Sequence, residues 1–220
     1  MRTGDAGDAR RFFLLLVDDA TRFMWVFLLT AKSATADAIK LVQAEAEKAS
    51  GRKLRVLRTD NGREFTAAEF ADYCADKGIT RHYSAPYSPQ QNGVVERRNQ
   101  TVVATARALL KQRAMPAKFW GEAVATVVHL LNRSPTKSLQ GKTPYKAWHG
   151  RAPAVAHLRV FGCLCFVKEL NQVRKLDDHS RPGVFIGYAD GAKAYRVYDP
   201  VSWRVLVSRD VIFDETRGWD

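Results

Sequence analysis

Two continuous apolar runs open the chain, at Phe12–Val17 and at residues 23–29, separated by the polar stretch Asp18-Asp19-Ala20-Thr21-Arg22. Runs of this length, rich in Phe, Val and Leu, suit buried strands, and the short polar connection predicts a hairpin. Ser33 then stands where a helix N-cap belongs, with a helical pattern to Ser50 and Gly51 as the stop. Residues 54–59 predict another strand, ending at Asp60, after which Asn61-Gly62 supplies turn chemistry. Thr66-x-x-Glu69 has capping-box spacing for a short helix to about Lys77, closed by Gly78, and a short strand is expected near residues 79–83.

Residues 85–93, rich in Pro, Ser, Asn and Gly, predict a loop, and the chain from Val94 to about Lys111 predicts a helix. Along it Val95, Val102, Ala106 and Leu109 make one apolar stripe, with Glu96, Asn99, Val103 and Arg107 beside it, so Glu96 is expected at the border of core and solvent. Met115-Pro116 breaks this helix, residues 119–131 predict the next, and Thr143-Pro144 reads as an N-cap with proline at N1. After about His157 the pattern shifts to short β segments at 158–168, 183–189, 195–199 and 205–213, with Asp199-Pro200 as a turn. Closely spaced strands in so short a stretch fit a small barrel better than a sandwich. The expected organisation is an α/β core over 1–112, a helical extension over 113–156 and a β domain over 157–216. Trp25, Trp120 and Trp148 are expected in the core, while Trp203 and Trp219 stay unassigned.

Composition adds a partner class: 35 Lys and Arg against 23 Asp and Glu give a formal charge of +12, a balance that suits a polyanion. Charge alone names no partner, since ribosomal and membrane-surface proteins share it. Three cysteines leave an odd thiol after any pairing, and Cys163 and Cys165 share one face of a strand, so a disulfide framework is not expected. The five histidines show no zinc-ligand spacing. The apolar run at Phe12–Val17 is too short for a signal-peptide core, and residues 23–29 are too short to span a bilayer. A protein of the nucleus or cytoplasm, without a membrane partner, is expected.

The candidate chemistry lies in two carboxylates. Asp60 closes a predicted strand, and 35 residues later Glu96 opens a predicted helix. Mg²⁺ binds through one or two carboxylates plus waters and phosphate oxygens, so a strand-end Asp and a helical Glu on one edge suit it. Taken singly, Asp60 is better read as the start of an Asp-Asn-Gly turn and Glu96 as a solvated helix residue. The wider pattern carries more: Asp18-Asp19-Ala20-Thr21-Arg22, Thr59-Asp60-Asn61-Gly62-Arg63-Glu64-Phe65, Pro86-Tyr87-Ser88-Pro89-Gln90-Gln91-Asn92-Gly93-Val94-Val95-Glu96-Arg97, Phe119-Trp120-Gly121-Glu122-Ala123, Leu131-Asn132-Arg133, Ala147-Trp148-His149-Gly150 and Val160-Phe161-Gly162-Cys163. In these spaced blocks the chain resembles the integrase of copia-type retrotransposons from about residue 9 almost to its end.

The resemblance implies an RNase H-like integrase core, a mixed sheet with flanking helices, followed by a small SH3-like β barrel. It implies an Asp, Asp, 35-residue gap, Glu triad in which Asp60 takes the second place and Glu96 the last. Asn61 and Gly62 match the turn beside the second aspartate, and Asn92 and Gly93 the loop before the glutamate helix. The family activity is Mg²⁺- or Mn²⁺-dependent cleavage of the element's DNA end followed by attack of the new 3′-hydroxyl on target DNA. DNA and, as a further expectation, a second copy of the chain are the implied partners.

The departure from the family pattern is at the start. There the first aspartate lies on a strand ahead of the Phe12–Val17 segment, in an Asp-x-x-Gly-Pro context, whereas Asp5 and Asp8 lie in a Gly/Ala stretch and Asp18 and Asp19 match a hairpin end. A core lacking its first strand is therefore expected, with an incomplete two-metal site and two buried strand edges left without hydrogen-bond partners. The zinc-binding His/His/Cys/Cys module of the family is not found either. Arg97, Arg98, Arg107 and Lys111 make the Glu96 helix basic and able to reach phosphate, with solvated arginines the plain alternative. Tyr83 and Tyr87 are candidates for base stacking or for ordinary loop packing. Three functions stay open: a DNA-binding integrase with an impaired site, an active recombinase whose missing strand comes from a further segment or chain, and a non-catalytic DNA-binding or interaction protein.

Overall fold

The apolar runs form strands where the pattern places them, β1 at Phe12–Val17 and β2 at Met24–Leu29, in a two-stranded sheet. Their connection is locked locally: Asp18 Oδ2 accepts from the Thr21 amide at 2.8 Å and the Thr21 hydroxyl at 2.6 Å, and Asp19 pairs with Arg22. The computed structural model describes residues 10–60, 62–83, 93–168 and 180–219. Two compact units divide the chain, one taking in β1 and Trp25–Gln100, the other Asp18–Met24 and the chain from Thr101 onward.

In the first unit α1 spans Thr35–Ser50 and stops at Gly51, whose φ of 66° is readily reached without a Cβ. Ser33 does not cap it. Residues 32–34 already form a 3₁₀ turn, so Ala34 (φ −76°, ψ −1°) takes the cap position in helical geometry with no side-chain acceptor. The capping box at Thr66 also fails, because Thr66 ends a separate turn, α2 (Arg63–Thr66), and its hydroxyl donates back to the Gly62 and Arg63 carbonyls at 3.4 Å. The next helix, α3 (Ala68–Asp76), starts after Ala67 with no side-chain cap. Strands β3 (Val56–Thr59) and β4 (Thr80–Tyr83) pair in parallel from Val56↔Thr80 to Thr59↔Tyr83. Ile39, Phe70, Cys74 and Ile79 form the buried centre, with Leu14 and Leu16 of β1 and Leu57 of β3 packed against it.

Thus β1 and β3 share a core while lying in separate sheets among the described residues. The expectation of buried edges needs correction: Leu15 alone is buried in β1, no residue of β3 is, and Val56 is 46% exposed. Half-exposed strands keep water within reach, which lowers the cost of an unpaired edge.

The long helix α4 spans Gly93–Gln112, and the boundary between the units falls within it. In the second unit, α5 (Trp120–Arg133) buries Ala123, Val124, Val127 and Val128, and α6 (Pro144–His149) begins at Thr143, whose hydroxyl accepts from the Lys146 amide at 3.0 Å as expected. Buried Asn132 bonds both the amide and the carbonyl of Met24, at 2.9 and 2.8 Å. Trp120 and Trp148 here, and Trp25 in the first unit, are half-buried rather than core residues, each packing one side of a ring that is too large for a small interior to enclose.

Strands β5 (Leu164–Lys168), β6 (Ser180–Tyr188), β7 (Tyr195–Asp199), β8 (Arg204–Ser208) and β9 (Val211–Asp214) form an antiparallel sheet in the order β8-β7-β6-β5-β9. The segment predicted as one strand at 205–213 is two, and they sit at opposite edges. A flat five-stranded sheet would hold its edges about 19 Å apart, whereas the link from Ser208 to Val211 reaches about 11 Å at most. The sheet must therefore roll toward closure, as an SH3-like barrel does. The strand predicted from 158 starts only at Leu164, because Gly162 turns the chain at φ 78° and donates to the Phe185 carbonyl at 2.8 Å. Cys163, Cys165, Val167, Phe185 and Val197 fill the interior.

Candidate metal and nucleic-acid site

Parallel pairing of β3 with β4 brings the chain out at Asp60, the first residue past the strand, where it is exposed. Its Oδ1 accepts from the Gly62 amide at 3.0 Å, the turn contact that an Asp-x-Gly sequence offers. A Cβ built on Gly62 would lie 2.8 Å from Glu64 Oε2 and 3.0 Å from Asp60 Oδ1, so both carboxylates crowd the same side of this glycine. Glu64 was not singled out from the sequence; it stands in the first turn of α2, a four-residue helix too short for periodicity to signal.

Glu96 lies in the first turn of α4, exposed rather than at the border of the core. The stripe rule held for Val102 and Ala106, both buried, but Leu109 is half-buried, and Val103, Arg107 and Lys111 are exposed. Arg98 is half-buried, and Arg97 folds back so that its Nε donates to the Gly93 carbonyl at 2.9 Å. Asn99, three residues beyond Glu96, buries an Oδ1 that has no hydrogen-bond partner among the described residues. Among those residues no group of three or more His, Cys, Asp or Glu is placed to hold a metal ion, so Asp60, Glu64 and Glu96 are not such a set. Asn61, Tyr87 and Asn92 lie outside the described residues. Tyr83 packs, as one of its two expectations had it: its hydroxyl donates to the Phe65 carbonyl at 3.2 Å.

Other titratable groups are structural. Burial pushes the Cys163 thiol up to about 11 and Cys165 up to about 12, which removes both as nucleophiles at neutral pH. The pair His129 and His157, unpredicted because 28 residues separate them, approach at 3.2 Å between their Nε2 atoms, with His129 stacked on Tyr188 at 4.1 Å. Burial, then the nearby Arg133 and His157, brings His129 down to about 3.

Residues 4–89 match the integrase core domain, and residues 163–220 match the retroviral polymerase SH3-like domain. The chain belongs to the integrases, with a core joined to an SH3-like module. Over 94% of its length it is 42% identical to the Retrovirus-related Pol polyprotein from transposon TNT 1-94 of Nicotiana tabacum. It is 35% identical to that from transposon RE1 of Arabidopsis thaliana, again over 94% of the chain. The branch is therefore that of copia-type retrotransposon integrases. The chain spans only 16% and 14% of those two polyproteins. A chain of the simian T-cell lymphotropic virus intasome in complex with PP2A regulatory subunit B56 gamma shares the fold, with a TM-score of 0.52 at 16% identity over 94% of this chain and 72% of that one. Integrase cores normally use a divalent metal ion, bind DNA and assemble as intasomes. Among the described residues no helix is long and apolar enough to cross a membrane.

Proposed function

We propose that this chain binds DNA through backbone charge as an integration-type protein, and that Asp60 and Glu96 are two of the three carboxylates of a polynucleotidyl-transferase site that the chain alone leaves incomplete. The observation that carries this is Asp60 standing exposed at the end of β3 within the matched integrase core. Asp18 and Asp19 are engaged by Thr21 and Arg22 in the hairpin turn, and Asp5 and Asp8 lie outside the described residues.

The donor chemistry fits a hydrated Mg²⁺ or Mn²⁺, since both acids offer oxygen alone and their exposure leaves the ion its waters. Asp60 and Glu96 would hold such an ion, which when bound polarises a phosphodiester. Two-ion chemistry needs a further carboxylate to keep both ions in line with the phosphate. The chain's own cations do the rest: Arg97, Arg98, Arg107 and Lys111 run along α4 and neutralise phosphates, with Asn61 and Asn92, outside the described residues, as further contacts to DNA.

A second reading, an active strand-transfer recombinase whose third acid arrives on a strand from a further segment or another chain, is supported by β1 and β3 lying in separate sheets, among the described residues, over one shared core. A strand-transfer assay with Mg²⁺ or Mn²⁺ decides between the two. The chain alone is expected to give no product while binding duplex DNA with an affinity that falls steeply with salt. Product formation abolished by Asp60→Ala or Glu96→Ala would establish the second reading, and absent or salt-independent binding would overturn both.

A further inference from the structure

The turn between β7 and β8 carries Val201 and Trp203 into solvent, at 82% and 66% exposure. An exposed Trp forgoes a large hydrophobic gain. Trp203 also holds φ at 61°, a region that bulky side chains rarely enter. Such strain persists only where the surroundings fix it, and it clusters at ligand contacts.

Here Asp199 fixes it. Its carboxylate, 1% exposed, accepts from the amides of Val201 and Ser202 at 2.8 and 3.2 Å, from the Ser202 hydroxyl at 2.6 Å and from Arg181 at 3.2 Å. The tip is thus a fixed projection. Lys118 is clamped beside it, its Nζ 4.6 Å from the Trp203 ring centroid and 4.7 Å from that of Tyr198, while it donates to the Tyr198 hydroxyl at 3.0 Å. Behind these, Trp219 packs on Tyr198 at 5.5 Å. Arg204, next to Trp203, is exposed. The one carboxylate of the turn is buried and fully engaged, so the surface around the indole is cationic.

We propose that Trp203 and Lys118 form a stacking platform for an unpaired nucleobase of single-stranded nucleic acid, the indole taking the base and the ammonium the adjacent phosphate. A largely exposed indole with a fixed ammonium over its ring suits sequence-tolerant single-strand binding through the ring surface left to solvent. A protein partner could anchor on Val201 and Trp203 as well, but Lys118 over the indole and the exposed Arg204 next to it favour a polyanion. The platform shares no residue with the Asp60 and Glu96 site and rests on the nucleic-acid reading above.

The test is the affinity of the full chain for oligodeoxythymidine, oligouridine and a duplex of equal length, by fluorescence anisotropy at one salt concentration. Stacking is worth about 1–3 kcal/mol per base, so Trp203→Ala should weaken single-strand binding about 5- to 150-fold and leave duplex binding within about twofold. Trp203→Phe should restore most of the loss, and Lys118→Gln should lower the salt slope for the single strand by about 0.7. In the unaltered chain, photocrosslinking to 5-iododeoxyuridine should place the adduct on Trp203. Unchanged single-strand affinity in Trp203→Ala, or adducts only elsewhere, overturns the platform while leaving duplex binding intact. Loss of duplex binding in the unaltered chain sinks the proposed function instead. If DNA and RNA strands bind equally, the platform reads the base alone, as the geometry requires.

Discussion

Glu122 and Arg196 join α5 to β7 through two parallel hydrogen bonds of 3.0 and 2.9 Å, with the side chains only 12% and 6% exposed. At such a separation and an effective dielectric of about 20, the attraction is roughly 5–6 kcal/mol. Desolvation of each ion costs several kcal/mol, so the intact pair contributes little net, whereas losing one partner strands a buried charge at about 3–5 kcal/mol. Set against a domain stability of about 5–15 kcal/mol, Glu122→Gln should consume a large share of it. Urea unfolding followed by tryptophan fluorescence measures this, because four of the five tryptophans (Trp120, Trp148, Trp203 and Trp219) lie in the second unit. Arg196→Met alone should cost a similar amount, and Glu122→Leu with Arg196→Met should return to within about 1 kcal/mol of the original chain. A loss under about 1 kcal/mol for Glu122→Gln, or a double variant as unstable as the sum of the single ones, would show that the pair is not the buried couple described here.

Gly187→Ala tests the contact of α5 with β6: the backbone there holds φ 139°, and a Cβ would lie 2.8 Å from Thr126 Oγ1. Strain and overpacking together predict a loss of about 2–4 kcal/mol in the same urea assay, part of it recovered by Thr126→Ala, and no recovery would place the fault in the backbone alone. Acid should also destabilise the second unit. His129, brought down to about 3 by burial, takes up a proton at mildly acidic pH only when unfolded, so its contribution is complete above the usual histidine range and is lost as pH falls toward 3. The slope is about 1.4 kcal/mol per pH unit within that window, and His129→Leu should flatten it, as read from thermal unfolding across pH. Asp199 acts in the same direction. Burial raises its carboxyl, but hydrogen bonds from Ser202, Val201 and Arg181 outweigh this and hold it below the usual range, so its stabilisation disappears as pH falls through the lowered value.

What the sequence showed depended on how local the cause was. Phe12–Val17, the helix stop at Gly51 and the Thr143 cap follow from a few adjacent residues, and all three stand in the structure. The caps expected at Ser33 and Thr66 failed because neighbouring turns claimed those residues first. The split of residues 205–213 into strands at opposite edges, the meeting of His129 with His157 and the coupling of Glu122 to Arg196 are set by barrel closure and helix docking, which no local spacing encodes. The strand-end position of Asp60 and the first-turn position of Glu96 were legible, since each follows from one element's boundary. Glu64 was not, because its nearness to Asp60 comes from the turn α2 starting directly after Gly62.

The placing of β1 and β3 in separate sheets over one core, among the described residues, connects this local logic to function. Leu14, Leu16 and Leu57 already pack, partly buried, against one core, so a strand pairing with both β1 and β3 would add main-chain hydrogen bonds with little repacking of the interior. On the recombinase reading, such a strand brings the third carboxylate, and its binding is measurable as slowed amide exchange in β1 and β3. Strong protection of both strands in the isolated chain would mean that the edges are already satisfied, leaving no vacancy for a strand to fill.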